Sequence, residues 1–256
     1  MEIKLWHFYH AYAQENQEHI WRPIVDEHVN MLQSSGISSK LNKTYIGVVG
    51  DETSADKIST IFKTKGIDHE ICAVSDHGWE QVTLNKLYEF SLSNDGYVLY
   101  AHTKGAFYPT KVRDSHRRTM SEHLIGRWTE NVDLLSKGFS ATGLFFLKGS
   151  PEPKVKQPEE SAPEDIHPNI KRYRGFFAGN FWWCNLDFIK RMGYPSMENR
   201  IKAEGWMNNL YDSTDSFEYM VYDMLPNKLY DILAPCLLLP HDERCLICPT
   251  LASKEV

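Results

Sequence analysis

Apolar residues in the first 136 positions fall into two alternating patterns. Short β-branched or aromatic runs predict strands, whereas apolar residues spaced three and four apart predict helices. Strands are expected at 3–9, 44–50, 70–74 and 97–101. Helices are expected at 17–34, at 54–65, after a cap at Asp76 with Trp79 on the inward face, and at 112–136. Strands that alternate with helices predict an α/β fold with a mainly parallel sheet and helices on both faces.

The second half of the chain has a less regular pattern. Strands are expected at 139–147, at 173–185 and, as the last apolar run, at 229–239. Helices are expected at 186–192, 198–210 and 216–225. Five prolines lie among charged residues between 150 and 169, a composition that does not build a core, so we expect a loop or lid there.

Composition narrows the class of protein. The 256 residues are 42% hydrophobic, carry a formal charge of −6, and show no composition break that indicates a second domain. No stretch is apolar enough to span a membrane, and the first residues lack the layout of a signal peptide. We therefore expect a single-domain, cytoplasmic protein with no broad attraction to nucleic acid. Five cysteines fit a reducing compartment.

The strand at 97–101 ends in His102, Thr103 and Lys104, followed by Gly105. In an open α/β sheet, ligands bind outside the carboxyl ends of the strands. His102 and Lys104 are therefore candidate site residues, and an ordinary strand exit with a solvated lysine is the alternative.

The next predicted helix begins with a cluster of positive charge. Six cations outnumber two acidic residues here: Lys104, Lys111, Arg113, Arg117, Arg118 and Arg127. Arginines one helical turn apart suit a phosphate, since each offers a rigid fork of donors. A solvated helix face explains the same pattern.

A second unusual stretch is Tyr173–Asn185, which is rich in aromatic and small residues. Gly179 indicates a bulge or a close approach by a ligand, and Asn180 offers both a donor and an acceptor. Trp182 and Trp183 point to opposite faces of a strand, so that one belongs to the core and the other lines a cleft, although core packing is the commoner fate of each.

Four segments together resemble a group of bacterial and viral glycosyltransferase-like proteins. They are Tyr-Val-Leu-Tyr-Ala-His-Thr-Lys-Gly-Ala at 97–106, Arg-Arg-Thr-Met at 117–120, Phe-Phe-Ala-Gly-Asn-Phe-Trp-Trp at 176–183 and Ala-Glu-Gly-Trp at 203–206. The resemblance implies one GT-A-like domain over 1–256. Residues 1–147 would form the nucleotide-sugar-binding half, 148–170 a proline-rich lid and 171–256 the acceptor half.

The resemblance also implies a donor site and a departure from the wider fold. Most GT-A enzymes hold a divalent metal with an Asp-X-Asp motif, where this chain has His102-Thr103-Lys104. The Lys104 ammonium would then neutralise the diphosphate of a donor, most simply a UDP-sugar, without a required metal. Mn or Mg stays an alternative, with His102 joined by Asp51, Asp76 or His241. The donor-binding candidates are His102, Thr103, Gly105, Arg117, Arg118 and Asp51.

On the acceptor side the resemblance implies a carboxylate base. Glu204 is the first candidate, with Glu218 and Asp215 in reserve, because an inverting transferase must deprotonate the acceptor hydroxyl. An ion pair between Glu204 and Arg200 is the structural alternative. The acceptor-binding candidates are Asn180, Trp182, Trp183 and Trp206.

Four residues near the C-terminus suit zinc by type: Cys236, His241, Cys245 and Cys248. Their spacing is irregular, so packed free thiols are the preferred interpretation.

The sequence therefore predicts a glycosyltransferase that acts on a surface glycan or on a hydroxymethylated base in phage DNA, inside a bacterium or an infected host. A sugar- or nucleotide-binding module without turnover is the alternative. A phosphate-handling hydrolase is a weaker one, because no Gly-rich phosphate loop follows the first strand.

Overall fold

The computed structural model describes residues 3–148, 170–171, 175–195, 203, 205–206 and 221–223. The strands are β1 Leu5–Ala13, β2 Lys43–Gly50, β3 His69–Ser75, β4 Tyr97–His102, β5 Ala141–Gly143, β6 Phe146–Lys148, β7 Ile170–Lys171, β8 Gly175–Phe177, β9 Trp182–Asn185 and β10 Val221–Asp223. The α-helices are α1 Glu18–Ser34, α2 Glu52–Thr64, α3 Gln81–Ser91, α4 Lys111–Ser121, α5 Trp128–Ser136 and α6 Leu186–Met192.

The main sheet has the strand order β3-β2-β1-β4-β9-β5-β10-β7. Six of these strands run in one direction, while β9 and β7 run against their neighbours. Strands β6 and β8 form a separate antiparallel pair. The expected α/β fold, Rossmann-like and with a mainly parallel sheet, is confirmed.

Two apolar layers cover the two faces of the sheet. The first joins β1, β2 and β4 to α1, α2, α4 and α5 through residues such as Trp21, Phe62 and Trp183. The second joins the same strands to α3 and α6 through residues such as Leu84, Trp182 and Ile189. Helices therefore lie on both faces, as the alternating pattern predicts.

The ends of the first two helices follow the sequence signals closely. Gly36 and Gly66 lie just beyond α1 and α2 with φ of 76° and 66°, a left-handed conformation that glycine adopts at little cost. Asp51 caps α2, since its carboxylate accepts a hydrogen bond from the Ser54 backbone N–H at 2.6 Å.

Three predicted elements are interrupted. The helix expected at 112–136 is α4, a π-helical segment at Glu122–Gly126 and then α5. The side chain of Asn131 donates to the carbonyls of His123 and Arg127, which satisfies backbone groups at this break. The strand expected at 139–147 is β5 and β6, and the one at 173–185 is β8 and β9 separated by a turn.

Two further predictions are wrong. Helix α3 begins after Glu80 rather than after an Asp76 cap, and Trp79 is 37% exposed instead of facing the core. Residues 221–223 form β10 within the stretch expected to be helical. The proline-rich segment 150–169 and the strand expected at 229–239 lie outside the described residues. Within the described part of the chain, no helix combines the length and the apolar character needed to cross a bilayer.

Candidate active site

The carboxyl ends of β1 and β4 lie side by side, with His10 of β1 paired in register with His102 of β4. The chain leaves β1 toward β2 on one side, while β4 lies on the other. This is the point where the strand order reverses, and ligands of open α/β sheets bind in the crevice at such points. His10, Glu80, His102, Lys104 and Asn180 meet there and are called the edge cluster below.

Glu80 is the centre of the edge cluster. Its Oε2 accepts hydrogen bonds from the Tyr100 hydroxyl at 3.0 Å and from Asn180 Nδ2 at 2.5 Å. Its Oε1 lies 4.0 Å from His102 Nε2, close enough for charge interaction but too far for a hydrogen bond. The Glu80 side chain is 11% exposed, so a carboxylate is held at the floor of the crevice.

The turn between β8 and β9 forms one wall of the crevice. Gly179 and Asn180 adopt φ of 95° and 54°, and the Gly179 carbonyl accepts a hydrogen bond from His102 Nε2 at 2.7 Å. Asn180 Oδ1 accepts from Trp182 Nε1 at 2.7 Å, which leaves its Nδ2 directed at Glu80. A non-glycine residue in the left-handed region is uncommon overall, and the known cases are concentrated at functional sites.

His10 supports the cluster from β1. Its Nδ1 lies 2.8 Å from the Thr83 hydroxyl on α3. Burial lowers the pKa of His10 to about 4, although the nearby Glu80 opposes the shift. Burial, followed by the charge of Glu80, raises the pKa of Tyr100 well above its usual range. Both groups are therefore neutral near pH 7, and the Tyr100 hydroxyl keeps its proton while it donates a hydrogen bond to the Glu80 carboxylate.

The loop after β4 carries the predicted donor-binding residues. The Thr103 hydroxyl accepts from the Tyr12 backbone N–H at 2.7 Å, which ties the loop to β1. Lys104 is partly exposed, and a Cβ added at Gly179 would lie 3.2 Å from its Nζ. Gly105 has φ of 97°, which allows the loop to turn there. The lysine therefore reaches across to the turn that carries Asn180.

His116 of α4 lies beneath this lysine. The imidazole is buried, and neither ring nitrogen has a hydrogen-bond partner. Burial and then the positive charge of Lys104 lower the pKa of His116 well below its usual range. A Cβ at Gly179 would lie 3.0 Å from His116 Cε1, so glycine at 179 allows this close packing.

Arg117 is bound to other groups of the protein. Its guanidinium, 5% exposed, pairs with Glu27 of α1 at 3.2 Å and with Asp114 at 2.6 Å. It also donates to the Lys104 carbonyl at 3.1 Å. Arg117 thus positions the Lys104 loop and has its donors committed to protein. Arg118 is 67% exposed and also pairs with Glu27.

Aromatic rings that were not singled out from the sequence as site residues pack around Phe107, three positions after Lys104, and are called the aromatic rim below. Phe107 packs against Tyr12, Trp79 and Tyr108, with ring centroids 4.4 to 5.7 Å apart. Trp79 and Tyr108 are 37% and 46% exposed, and the Arg113 guanidinium lies 5.5 Å from the Tyr108 ring. Flat apolar surface and positive charge therefore adjoin Lys104.

The acceptor-binding candidates lie elsewhere, with Asn180 as the exception. Trp182, Trp183 and Trp206 are fully buried in the two apolar layers. Their indole nitrogens donate to Asn180 Oδ1, to the Leu124 carbonyl and to the Gly193 carbonyl, respectively. None presents a ring to solvent, so the expectation that one of the paired tryptophans lines a cleft is wrong for this structure.

The alternative metal ligands are His102 with Asp51, Asp76 or His241, and His241 lies outside the described residues. Among the described residues, no group of three or more His, Cys, Asp or Glu side chains is arranged to hold a metal ion. His102 Nε2 must carry a proton because it bonds to a carbonyl, and Asp51 caps α2. The residues Glu204, Asp215, Glu218, Cys236, His241, Cys245 and Cys248 lie outside the described part of the chain.

Residues 8–137 match the model of a family described as a domain of unknown function, DUF8361. The chain belongs to this family. The match takes in β1 through α5, and therefore every member of the edge cluster except Asn180. Among curated proteins, none matches this DUF8361 member.

Solved structures show distant likenesses to this DUF8361 protein. One is the 4-diphosphocytidyl-2C-methyl-D-erythritol synthase of Anaerococcus prevotii, with a TM-score of 0.44, 13% identity and coverage of 86% of this chain and 88% of that one. Another is TarS 1–349 of S. aureus, with a TM-score of 0.45, 9% identity and coverage of 86% and 60%. A further synthase of the first kind has a TM-score of 0.41, 12% identity and coverage of 93% and 100%. Likenesses of this degree do not establish a shared activity.

One signal in the sequence was sufficient to find the missed residues. Trp79 and Glu80 follow β3 closely, just as Lys104 follows β4, which ends at His102, so the strand-exit rule applies at both places. His10 near the end of β1 is a third case. The helical spacing of Trp79 with the apolar residues of α3 obscured this signal, because it favoured a core position.

Proposed function

We propose that this protein is a nucleotide-sugar-dependent glycosyltransferase that transfers a sugar to a hydroxyl group. The observation that carries the proposal is the edge cluster, a carboxylate and a lysine ammonium brought together where the strand order of the sheet reverses. Such a pair provides the two charges that glycosyl transfer needs, a cation for the leaving diphosphate and an anion for the incoming hydroxyl. The resemblance of the β4 and β9 segments to glycosyltransferase-like proteins supports the same reaction.

In this proposal Lys104 neutralises the donor diphosphate. Its loop is fixed by hydrogen bonds from Arg117 to the Lys104 carbonyl and between Thr103 and Tyr12. A preorganised cation stabilises charge that develops on the leaving group without reorganisation during the reaction. Arg117 acts through Lys104 rather than on phosphate, which revises its assignment as a donor-binding residue.

The described residues do not suit a divalent metal at this position. A lysine stands where the wider fold has a carboxylate, and the edge cluster contains one carboxylate, Glu80, whereas a divalent Mg or Mn ion is usually held by several oxygen ligands. We therefore derive the chemistry from Lys104 and assign no step to Mn or Mg.

In this proposal the aromatic rim binds the base of the donor nucleotide. Trp79 and Tyr108 offer exposed rings on the side of the crevice next to Lys104. Stacking on aromatic rings tolerates any base, so we retain UDP-sugars as the first donors to test. The acceptor is a surface glycan or a hydroxymethylated base in phage DNA.

A donor panel tests this function. Purified protein is mixed with UDP-glucose, UDP-galactose, UDP-N-acetylglucosamine, GDP-mannose and dTDP-glucose, and the melting temperature is measured for each. A ligand at 100 times its Kd stabilises the folded state by about 2.7 kcal/mol. We expect at least one sugar nucleotide to raise the melting temperature more than the matching nucleoside monophosphate does. No stabilisation by any sugar nucleotide would contradict the proposal.

Release of nucleoside diphosphate then measures turnover. The acceptors are water, methyl glycosides and an oligonucleotide that contains 5-hydroxymethylcytosine, each with and without EDTA. We expect release that persists in EDTA. Loss of all release in EDTA and recovery with Mn would show that a metal, not Lys104, carries the diphosphate. Donor binding without release in any condition would favour the binding-module alternative.

A further inference from the structure

We propose that Glu80 is the base that removes the proton from the acceptor hydroxyl. This assignment rests on the proposed glycosyl transfer and replaces Glu204 in that role. It places the base at the start of α3, in the N-terminal half of the chain, and not in the acceptor half where the sequence resemblance suggested it.

The location of Glu80 is the first argument. Among the described residues it is the one acidic side chain that is buried, and it lies at the carboxyl ends of β1 and β4. The other acidic residues nearby are exposed or are paired with protein groups outside the edge cluster. Glu27 and Asp114 pair with Arg117, Asp51 caps α2, and Asp76 is exposed. Burial favours a carboxylate that works on a substrate proton, because water competes less for it.

The second argument is orientation. Tyr100 and Asn180 both donate to Oε2 of Glu80, which fixes the plane of the carboxylate. Oε1 lies on the side of His102, whose Nε2 is 4.0 Å away. Asn180 is held for this purpose by its bond from Trp182 and by its left-handed backbone. A general base needs a fixed direction of this kind.

The reaction balances with these groups alone. The acceptor O–H bond breaks and its proton goes to Glu80, while the acceptor oxygen forms a bond to the anomeric carbon of the donor sugar. The bond from that carbon to the phosphate oxygen breaks, and its electron pair leaves with the nucleoside diphosphate beside Lys104. Attack from the side opposite the leaving group gives inversion at the anomeric carbon.

Glu80→Gln tests the assignment with the least structural change. The amide keeps the volume of the side chain and an oxygen that accepts from Tyr100 or Asn180, but it does not take up a proton at neutral pH. We expect turnover to fall by about 10²- to 10⁴-fold. The increase in melting temperature given by the sugar nucleotide should be unchanged. Glu89→Gln, on an exposed position of the same helix, is the matched control and should retain full turnover.

The pH dependence separates a base from a residue with a structural role. Glu80→Asp should recover part of the turnover, since it restores the carboxylate one methylene shorter. The kcat/KM of the wild type should fall on the acidic side as its base is protonated, and this acidic limb should be absent from the residual activity of Glu80→Gln. A wild-type acidic limb that persists in Glu80→Gln would overturn the assignment.

Glu204→Gln completes the experiment. Full turnover in Glu80→Gln with loss in Glu204→Gln would return the role to Glu204. If Glu80→Gln loses turnover only together with its folded structure, the measurement moves to Glu80→Asp, whose recovered activity must then show a shifted acidic limb. The two proposals fail separately, because no donor binding by the wild type contradicts the transferase, whereas unaffected turnover in Glu80→Gln contradicts Glu80 alone.

Discussion

Two histidines on β1, His7 and His10, show how position along a strand divides structure from chemistry. They are three residues apart, so their side chains point to opposite faces of the sheet. His7 contacts His28 of α1 at 3.1 Å and the Thr44 hydroxyl at 3.2 Å, deep in the first apolar layer. His10 lies at the carboxyl end of the strand, opposite His102 and beside α3.

The surroundings of the two histidines differ in how much polar surface they leave exposed to solvent. His7, His28, Thr44 and Tyr9, here named the interior cluster, are all buried. His28 stacks on His7 and on Tyr9, with ring centroids 5.0 and 4.2 Å apart. The edge cluster also contains buried polar groups, but His102 and Lys104 are partly exposed and 11% of the Glu80 side chain is exposed. The same residue type in the same strand therefore packs the interior at one position and supports a candidate site at the other.

Arg117 connects α1, α4 and the Lys104 loop, so its loss should have the largest effect on stability. Arg117→Ala leaves Glu27 and Asp114 without their shared partner and frees the Lys104 carbonyl. We expect the free energy of unfolding to fall by about 3 kcal/mol, measured by chemical denaturation. Arg118→Ala is the control, because this 67% exposed side chain reaches the same Glu27 and should cost less than about 1 kcal/mol. Equal losses in the two variants would contradict a special role for the buried pair.

Lys104 tests whether the edge cluster is functional rather than structural. Lys104→Ala should reduce turnover by about 10²- to 10³-fold, as expected for the loss of one preorganised group that stabilises developing charge. The melting temperature should change little, because the side chain is partly exposed. Lys111→Ala, an exposed lysine at the start of α4, should leave turnover unchanged. A loss of stability without a loss of turnover in Lys104→Ala would show that the lysine has a structural role, like the residues of the interior cluster.

Acid should destabilise the protein through both histidines of β1. Burial lowers the pKa of His7 to about 3 and that of His10 to about 4, whereas an unfolded histidine has a pKa near 6.5. Below pH 6.5 the unfolded chain binds protons that the folded chain does not, so stability falls as the pH drops toward these values. At pH 5 the expected loss is about 2 kcal/mol for each histidine.

Denaturation curves between pH 7 and pH 4.5 measure this slope. His7→Gln should reduce the slope of the free energy of unfolding against pH by the contribution of one proton, which is about 1.4 kcal/mol per pH unit. His19→Asn, an exposed position on α1, is the control and should keep the wild-type slope. An unchanged slope in His7→Gln would show that His7 is not held neutral in the folded protein.

The sequence predicted those features of the structure that a local pattern of residues determines. Alternating strands and helices, the glycines after α1 and α2, and the strand exit at His102 all follow from short-range rules. The edge cluster does not follow from short-range rules, because Glu80 bonds to Asn180, which is 100 positions away in the chain. The three buried tryptophans show the opposite case, since an aromatic pair has the same sequence pattern whether it packs a core or lines a cleft.

Asp51 gives the smallest expected effect and tests whether the edge site extends to β2. As the cap of α2 it accepts a hydrogen bond from the Ser54 backbone N–H, which lowers the pKa of its carboxyl. Asp51→Ala should cost about 1 kcal/mol of stability, and Asp51→Ser should restore most of it, since serine is also a good cap. Donor affinity, read from the melting temperature against UDP-glucose concentration, distinguishes the two roles. Unchanged affinity in Asp51→Ser confines the aspartate to capping, whereas a tenfold loss with stability intact would extend the donor site along the sheet edge to β2.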